Sequence, residues 1–242
     1  MAKVDTYLKA LEALLPDPLG AMLAPHVRIV TLRAGQIVIG QQDRSTDAFV
    51  VIEGAVRVEL HSLAGRDVFL ADVARGGLFG EFAALDGQPR SASVTAVSKS
   101  VLACIPGAAF REVVFSNPAT AEWMARWLVG HVRLLTERVF ELKALAVRSR
   151  LHCELLRMCL DAGVADNRAE IAPAPTHAEL ANRIGSHREA VTRELQYLQA
   201  EGIVAREGRS FVVEDMAKLA EIVRAAAGDV DLLQRALDAQ AG

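Results

Sequence analysis

The sequence contains few cysteines, little net charge and no long apolar run. Its three cysteines, Cys104, Cys153 and Cys159, lie in apolar surroundings without metal-ligand spacing, so they are interpreted as core residues in a reducing compartment. The formal net charge is −3 over 242 residues, so binding to nucleic acid must depend on a local patch. No apolar run reaches the roughly 18 residues of a membrane span, and no signal peptide is recognisable. These absences predict a cytoplasmic protein with no membrane partner and no metal. Because no nucleophile is paired with a base, an enzyme is not expected.

The longest helical pattern runs from Asn117 to about Val147. Ser116 and Asn117 offer a polar cap, and Pro118 follows at the first helical position. One apolar stripe has the spacing of a heptad seam, which predicts pairing with an identical helix; its members are Ala121, Ala125, Val129, Val132, Thr136, Val139, Leu142 and Ala146. A second stripe is expected to pack against the preceding domain and comprises Trp123, Met124, Trp127, Leu128 and Leu135.

Thr136 places a hydroxyl in the middle of the otherwise apolar seam. The hydroxyl either fixes the register or bonds to the backbone carbonyl one turn earlier, or it contacts a ligand near the seam. The residue pattern leaves both interpretations open.

Between the first helix and this long one, the apolar period changes from 3.6 to 2. Short segments rich in Val, Ile and Phe occupy residues 36–40, 48–53, 55–60 and 67–71. Glycines punctuate them at turn positions, namely Gly35, Gly40, Gly54, Gly65, Gly76 and Gly77. Strands of this length and spacing predict a small antiparallel barrel or roll.

The segment from Gly76 to Val94 carries the candidate ligand site. Its glycines allow a backbone to come close to a ligand and to turn N–H groups toward an anion. Glu81 can accept hydrogen bonds from a sugar hydroxyl, Arg90 offers a planar fork of donors suited to a phosphate, and Ser91 adds a hydroxyl. By chemistry alone, a surface ion pair between Glu81 and Arg90 is the commoner alternative.

The order Gly-Glu, a short apolar helix and then Arg-Ser-Ala resembles the phosphate-binding cassette of cyclic-nucleotide-binding domains. The resemblance implies that Gly80 presents backbone to the nucleotide and Glu81 binds the ribose 2′-hydroxyl. It also implies that Arg90 and Ser91 hold the cyclic phosphate. Serine at position 91 implies cyclic AMP as the allosteric ligand, with cyclic GMP as an alternative. The resemblance also places Val58, Leu70 and Val73 in the wall of the nucleotide pocket. Each of them could equally be an ordinary core residue.

The C-terminal part contains two short helices joined by a turn. Thr176 and Glu179 form a capping box for the first helix, which Gly185 ends, and Ser186 and Glu189 form a second box for the next helix. This arrangement is typical of a helix-turn-helix. The second helix is apolar on one face, and its other face offers groups that can pair with base edges, Arg188, Glu189 and Arg193. The alternative is that Glu189 and Arg193 form an ordinary i, i+4 salt bridge.

A hairpin around Glu207 to Ser210 is predicted between apolar strands at residues 204–206 and 211–213, and it would make this domain winged. Residues 164–175, with two prolines and mixed charges, are expected to form a surface loop.

Residues 176–213 resemble, without gaps, the DNA-binding domain of the cyclic AMP receptor protein and of the wider catabolite activator and fumarate-nitrate regulator family. The resemblance implies that Arg188, Glu189 and Arg193 read bases in a TGTGA-type half-site, repeated as an inverted palindrome of double-stranded DNA. The residues implied to contact phosphates are Thr176, His187 and Gly208. RNA polymerase is the implied protein partner.

The resemblance covers about Leu19 to Asp215 and implies an α+β chain in four parts. They are an N-terminal antiparallel β-roll that binds a cyclic nucleotide (residues 1–116), a long dimerisation helix (117–147), a winged helix-turn-helix (148–215) and a C-terminal helical extension (216–242). The apolar pattern of the extension predicts one or two amphipathic helices and includes Leu219, Ile222, Val223, Val230, Leu233 and Leu237.

Two positions depart from the family pattern. Leu135 and Thr136 stand where the cyclic AMP binders of the family carry Thr-Ser, so one hydroxyl partner of adenine is missing. Ala146 stands where the family often has a capping residue at the hinge, so the hinge is expected at Ser149 instead.

The sequence therefore predicts a homodimeric transcription regulator gated allosterically by a cyclic nucleotide, most simply cyclic AMP. One alternative is a family regulator that binds DNA without a cyclic nucleotide or senses another effector. Another is a nucleotide-binding regulatory protein that acts on a protein partner. Haem or iron–sulfur sensing is not expected, because Cys and His are absent from residues 76–94.

Overall fold

The computed structural model describes residues 2–61 and 67–241, and the predicted turn at Gly65 lies outside them. The chain divides into two compact units, Met1–Gly130 and His131–Gly242. In the described ranges, no helix is both long enough and apolar enough to cross a membrane.

The first unit begins with helices that cover one side of a β-roll. Helix α1 (Ala2–Leu14) is amphipathic and buries Tyr7 and Leu11, while Lys9 and Glu12 stay exposed. It is followed by α2 (Leu19–Leu23) and one turn of 3₁₀ helix (Ala24–His26).

Among the described residues, the roll consists of eight antiparallel strands in two four-stranded sheets. The strands are β1 (Arg28–Leu32), β2 (Ile37–Ile39), β3 (Ala48–Glu53), β4 (Ala55–His61), β5 (Asp67–Ala74), β6 (Leu78–Phe79), β7 (Ser93–Ala96) and β8 (Ser100–Ile105). One sheet has the order β1-β8-β3-β6 and the other β2-β7-β4-β5. The strands predicted from the period of 2 are thus confirmed, and side chains of both sheets meet in an apolar cluster that includes Phe49, Val56, Phe79 and Leu102.

Two helices interrupt or follow the roll. Helix α3 (Glu81–Asp86) lies between β6 and β7, with left-handed glycines at both ends, and α4 (Gly107–Ser116) follows β8. Because α3 is only six residues long and packs on α4, its position is set by these contacts rather than by helix propensity.

Helix α5 (Pro118–Ala144) is the predicted long helix. The Asn117 carboxamide oxygen accepts a hydrogen bond of 2.8 Å from the Ala119 N–H, which confirms the polar cap before Pro118. In the first unit, Met124 is buried and Trp123, Trp127 and Leu128 are half-buried against the core beside the roll. The prediction that the second apolar stripe packs against the preceding domain was wrong for Leu135, whose side chain is 53% exposed.

The helical path breaks between α5 and α6 (Val147–Ala162). Ala146 is extended, with φ −62° and ψ 155°, and no side chain that the structure describes caps the new helix. The break therefore lies at Ala146 and not at Ser149, which is buried inside α6.

The second unit contains the helix-turn-helix and a four-stranded sheet. Helices α7 (His177–Arg183) and α8 (Arg188–Ala200) are followed by a hairpin of β11 (Val204–Glu207) and β12 (Ser210–Val213), which confirms the wing. The expected surface loop at residues 164–175 was wrong, because it contains β9 (Val164–Ala165) and β10 (Arg168–Ile171), which extend the wing sheet in the order β11-β12-β10-β9. Asp166 and Asn167 connect β9 and β10 with φ values of 51° and 61°, as a type I′ hairpin turn requires.

The C-terminal extension forms α9 (Met216–Ala227) and α10 (Asp231–Ala241). Their apolar residues complete the core of the second unit, since Leu219, Val223, Leu232 and Leu233 are all buried in it. The side chain of Leu237 lies outside the part of α10 that the structure describes.

Candidate functional site

The glycine-rich segment of the roll is shaped around Gly80. This residue has φ 78°, a left-handed conformation that costs a side-chain-bearing residue free energy. A Cβ atom there would lie 2.9 Å from both Arg90 Nη1 and the Asp47 carbonyl oxygen. Glycine therefore lets the backbone before α3 approach the arginine directly.

Arg90 is only 3% exposed, and its guanidinium is held by neutral acceptors. Nη1 donates to the Gly80 carbonyl oxygen at 2.8 Å, Nη2 to the Asp47 carbonyl oxygen at 2.7 Å, and Nε to the Ser45 hydroxyl at 3.1 Å. Its backbone is also fixed, because its N–H donates to the Asp43 carbonyl at 2.8 Å and its carbonyl accepts from the Gln42 N–H. The arginine is thus fixed in place by the protein's own backbone and by the Ser45 hydroxyl.

No described carboxylate forms an ion pair with Arg90, so the surface ion pair with Glu81 that the bare chemistry allowed is not formed. Burial lowers the pKa of Arg90, while the charges of Asp47, Glu81 and Asp43 raise it. A buried guanidinium held only by neutral oxygens keeps its positive charge available to an anion.

Glu81 opens α3 and is 5% exposed. Burial raises the pKa of its carboxyl to about 7, although a hydrogen bond from its own backbone N–H and the charge of Arg90 both act to lower it. The backbone hydrogen bond and the charge of Arg90 offset only part of the cost of burying the Glu81 carboxyl. This carboxyl is therefore suited to accept a hydrogen bond from a ligand hydroxyl.

The other ligand-site residues named from the sequence differ in how far they are exposed. Ser91 is exposed, and Val58 is half-buried against the cluster between the sheets, whereas Leu70 is 38% exposed. Thr136 lies in the second unit, where its hydroxyl donates to the Val132 carbonyl oxygen one turn earlier at 2.8 Å, as the first interpretation of that residue expected. The hydroxyl oxygen remains able to accept a bond.

The start of α7 follows the sequence prediction. The Thr176 hydroxyl accepts from the Glu179 N–H at 3.2 Å, and the Glu179 carboxylate accepts from the Thr176 N–H at 2.8 Å, which confirms the first capping box. The second predicted capping box, formed by Ser186 and Glu189, was wrong. Helix α8 begins at Arg188 after His187 and has no cap from any described side chain, because the Ser186 N–H bonds to the Ala181 carbonyl and keeps Ser186 in the turn.

Helix α8 presents its polar face to solvent. Val191, Leu195 and Leu198 are buried. The six residues assigned to DNA are all exposed in this unit, namely Thr176, His187, Arg188, Glu189, Arg193 and Gly208. In the described structure, Glu189 and Arg193 do not form the alternative i, i+4 ion pair, so both remain available to base edges.

Buried charges connect α5, α6 and α7 behind this face, and residue patterns did not predict them. Glu154 of α6 accepts from Arg138 of α5 at 2.6 Å and from Arg183 of α7 at 3.1 Å. Arg157 of α6 binds Glu141 of α5 with two bonds of 2.8 and 2.7 Å. Burial alone would raise the pKa of Glu154, but the three arginines around it lower the pKa overall. We call these five residues the buried charge cluster.

A second polar link joins α6 to α8. His152 Nε2 lies 2.7 Å from the Glu194 carboxylate. Burial lowers the pKa of His152, while Glu194 raises it. Helix α8, which carries Arg188 and Arg193, is therefore held in its orientation by a hydrogen bond to α6.

Comparison with protein families and known proteins agrees with this division of the chain. Residues 29–117 match the cyclic nucleotide-binding domain, and residues 149–222 match the Crp-like helix-turn-helix domain. A CRP-like cAMP-activated global transcriptional regulator of Mycobacterium tuberculosis is 24% identical over 205 residues, which are 84% of this chain and 92% of that protein.

Solved structures give the same result for the fold. TTHA1359, a CRP/FNR family transcriptional regulator from Thermus thermophilus, aligns with a TM-score of 0.65 and 27% identity, covering 81% of this chain and 98% of that one. The c-di-GMP responsive global regulator CLP of Xanthomonas campestris aligns with a TM-score of 0.67 and 19% identity, over 82% and 99% of the two chains.

Proposed function

The chain belongs to the family of transcription regulators that includes the cyclic AMP receptor protein and the fumarate-nitrate regulator, and on that premise we propose that it is a homodimer gated by cyclic AMP. It is a DNA-binding regulator and not an enzyme. In this proposal the dimer binds an inverted repeat with TGTGA-type half-sites in the cytoplasm, and RNA polymerase is its protein partner. The three buried, unpaired cysteines accord with a reducing compartment.

The observation that carries the ligand proposal is the environment of Arg90. Its guanidinium is buried, held by two carbonyl oxygens and a hydroxyl, and free of any described ion pair. A cyclic phosphate would supply the missing negative charge, while the nearby Glu81 carboxyl would accept from the ribose 2′-hydroxyl. Together these groups suit a sugar phosphate better than a simple anion.

The dimer proposal depends on the apolar seam of α5. Val129, Val132, Val139 and Leu142 are 51–63% exposed, although they recur at heptad spacing. Exposure of four aliphatic side chains along one helix face is unfavourable in water, and a second copy of the helix would bury them.

Ligand binding would act through this paired helix. In the proposal, the nucleotide reaches Thr136 of the second copy and so changes the packing of the two α5 helices. That packing sets the separation of the two α8 helices, which must match about one turn of DNA, roughly 34 Å. The nucleotide shifts the equilibrium only by its difference in affinity for the two dimer states.

A different effector is the second candidate. Leu135 stands where the cyclic AMP binders of the family have a hydroxyl, so one contact to adenine is missing. The CLP regulator is described as responsive to c-di-GMP, a different cyclic nucleotide. A regulatory protein that binds nucleotide and acts on a protein partner is the third candidate.

The test is fluorescence anisotropy of a labelled TGTGA palindrome with no ligand and with cyclic AMP, cyclic GMP or c-di-GMP. We expect binding that is strengthened by cyclic AMP in the wild type and is insensitive to it in Arg90→Ala. A response retained in Arg90→Ala would reject the site. Equal binding with and without every nucleotide would favour a regulator independent of them, and calorimetry with each nucleotide separates failure to bind from failure to respond.

A further inference from the structure

The end of α5 lies against the turn of the helix-turn-helix. Gly185 belongs to that turn, between α7 and α8, and has φ 58°. A Cβ atom at Gly185 would lie 3.4 Å from Leu142 Cδ2 of α5, which places the leucine methyl group beside the glycine backbone. Leu142 also belongs to the apolar seam proposed to pair two copies of the chain. The same side chain therefore serves the proposed dimer seam and packs beside the DNA-binding motif.

Arg150 of α6 binds both of these places through its guanidinium. Nη1 donates to the Leu142 carbonyl oxygen and Nη2 donates to the Gly185 carbonyl oxygen, each at 3.3 Å. The Leu142 carbonyl lies in the last turn of α5, where carbonyl groups lack partners inside the helix and the helix dipole favours a positive charge. One planar fork of donors thus joins the end of α5 to the turn between α7 and α8.

Glu154 of α6 makes a second bridge, and this one is buried. Its carboxylate accepts from Arg138 of α5 at 2.6 Å and from Arg183, the last residue of α7, at 3.1 Å. The Glu154 side chain is 1% exposed and the Arg183 side chain 11%. Water therefore competes little for the bridge, and separating its members would leave poorly solvated charges.

The two bridges come from one face of α6. Arg150 and Glu154 are four residues apart on the helix, so their side chains lie on the same side. Arg157 continues this face three residues later and binds Glu141 of α5 with bonds of 2.8 and 2.7 Å. Helix α6 is also bonded to α8 through His152. It therefore holds α5 and both helices of the motif, across the backbone break between α5 and α6.

We propose that Arg150 and Glu154 are positioning residues for DNA binding, which fix the helix-turn-helix to the end of α5. The extended residue Ala146 would by itself let α6 and the motif rotate about its backbone angles. The two bridges remove that freedom, so α8 follows the movement of the last turns of α5. The link between α5 and the motif does not depend on the proposed function, whereas its consequence for DNA rests on it.

Hydrogen exchange on the whole protein tests the link without ligand or DNA. Arg150→Ala/Arg183→Ala removes both bridges to the motif but leaves Glu154 paired with Arg138, so no carboxylate is isolated in the core. Amides of residues 181–187 should exchange about tenfold faster than in the wild type, the factor expected for loss of one hydrogen bond to a charged group. Arg150→Lys/Arg183→Lys keeps the charges without the planar fork and should give a smaller increase.

The control Arg224→Ala/Arg235→Ala removes two arginines of the C-terminal extension, which lie 3.6 Å from Asp229 and 3.4 Å from Asp161. It makes the same change in net charge and should leave the exchange of residues 181–187 unchanged. Wild-type exchange of these amides in the first variant would overturn the link. Exchange that is faster by one common factor throughout the second unit would contradict it equally, because that pattern indicates a general loss of stability.

Palindromes with one base pair added to or removed from the spacer test the consequence for DNA. The wild type and the control should bind both at least about tenfold more weakly than the best spacing, because each base pair rotates one half-site by roughly 35°. In Arg150→Ala/Arg183→Ala this ratio should fall to about twofold to threefold, since its motif is no longer held to α5.

The ratio between spacings separates positioning from stability. A general loss of stability weakens binding to every spacing by the same factor and leaves the ratio unchanged. An undiminished ratio in Arg150→Ala/Arg183→Ala would therefore reject the positioning role. If the wild type binds no palindrome, the proposed function fails, and hydrogen exchange still decides the link.

Discussion

Arg90 donates a hydrogen bond of 2.8 Å from Nη1 to the Gly80 carbonyl oxygen, so the residue before α3 and the arginine after it are bound to each other. The bond closes the α3 segment around the guanidinium. A change at Gly80 is therefore a change to the proposed ligand site, even though glycine has no side chain to touch a ligand.

Gly80→Ala should weaken nucleotide binding far more than Gly87→Ala. Both positions have positive φ, 78° and 69°, so alanine is strained at each by roughly 1–2 kcal/mol. A Cβ at Gly80 would lie 2.9 Å from Arg90 Nη1, whereas a Cβ at Gly87 would have no atom of the described residues within 4 Å. Calorimetric titration with cyclic AMP should show at least about a tenfold loss for Gly80→Ala beyond that for Gly87→Ala. Equal losses would mean that Arg90 is not displaced.

Glu81→Gln should raise the melting temperature of the ligand-free protein, and by more at pH 8 than at pH 5. The folded-state pKa of Glu81 is raised to about 7, so the folded protein holds this proton more tightly than the unfolded chain. The wild type therefore loses stability as pH rises from the ordinary glutamate pKa to about 7, by about 3 kcal/mol in all. The Glu81→Gln protein has no ionisable group at this position, so its stability does not fall in this way as pH rises. Thermal scans by circular dichroism would contradict the prediction if the difference between variant and wild type were independent of pH.

Val132→Asp should convert a dimer into a monomer. Val132 is 63% exposed at the centre of the α5 seam, and pairing would place two carboxylates opposite each other in an apolar interface. Val97→Asp, at a 45% exposed valine of the roll, is the matched control and should stay dimeric. Sedimentation equilibrium distinguishes the two masses. A dimeric Val132→Asp protein would show that another surface joins the subunits.

Glu154→Gln should destabilise the protein by about 3–5 kcal/mol, because it leaves buried guanidinium groups without their countercharge. Glu154 is 1% exposed and binds Arg138 and Arg183. Glu122→Gln removes an exposed pair with Arg126 and should cost less than about 1 kcal/mol. Thermal unfolding of both variants should show a much larger loss for Glu154→Gln, and similar losses would indicate that the buried charge cluster contributes little.

Caps and turns that depend on residues close together in the chain could in part be predicted from the sequence. The capping box of Thr176 and Glu179 needs only residues that are close in the chain, and it formed as expected. The box at Ser186 and Glu189 failed although its residue types were right, because a backbone bond from Ser186 to Ala181 shifted the start of α8. The hairpin at Asp166 and Asn167 had a recognisable signal in two residues that tolerate positive φ, but strands of two and four residues show no clear alternation.

Contacts between residues far apart in the chain were harder to predict from the sequence. The role of Ser45 and of the Asp47 carbonyl in holding Arg90 follows from strand pairing that brings together residues more than 40 positions apart. The exposure of Leu135 depends on where the first unit ends, which an apolar period along α5 does not reveal.

The buried charge cluster and the exposed arginines of α8 should respond differently to ionic strength. Mobile ions screen charges in contact with water and reach those inside the protein poorly, so Glu141 and Arg157, both under 10% exposed, should stay paired at several hundred millimolar salt. Arg188 and Arg193 are exposed, and the interaction proposed for them with the DNA polyanion would depend on the release of condensed counterions. Added salt should therefore detach the protein from DNA while leaving the junction of α5 and α6 intact.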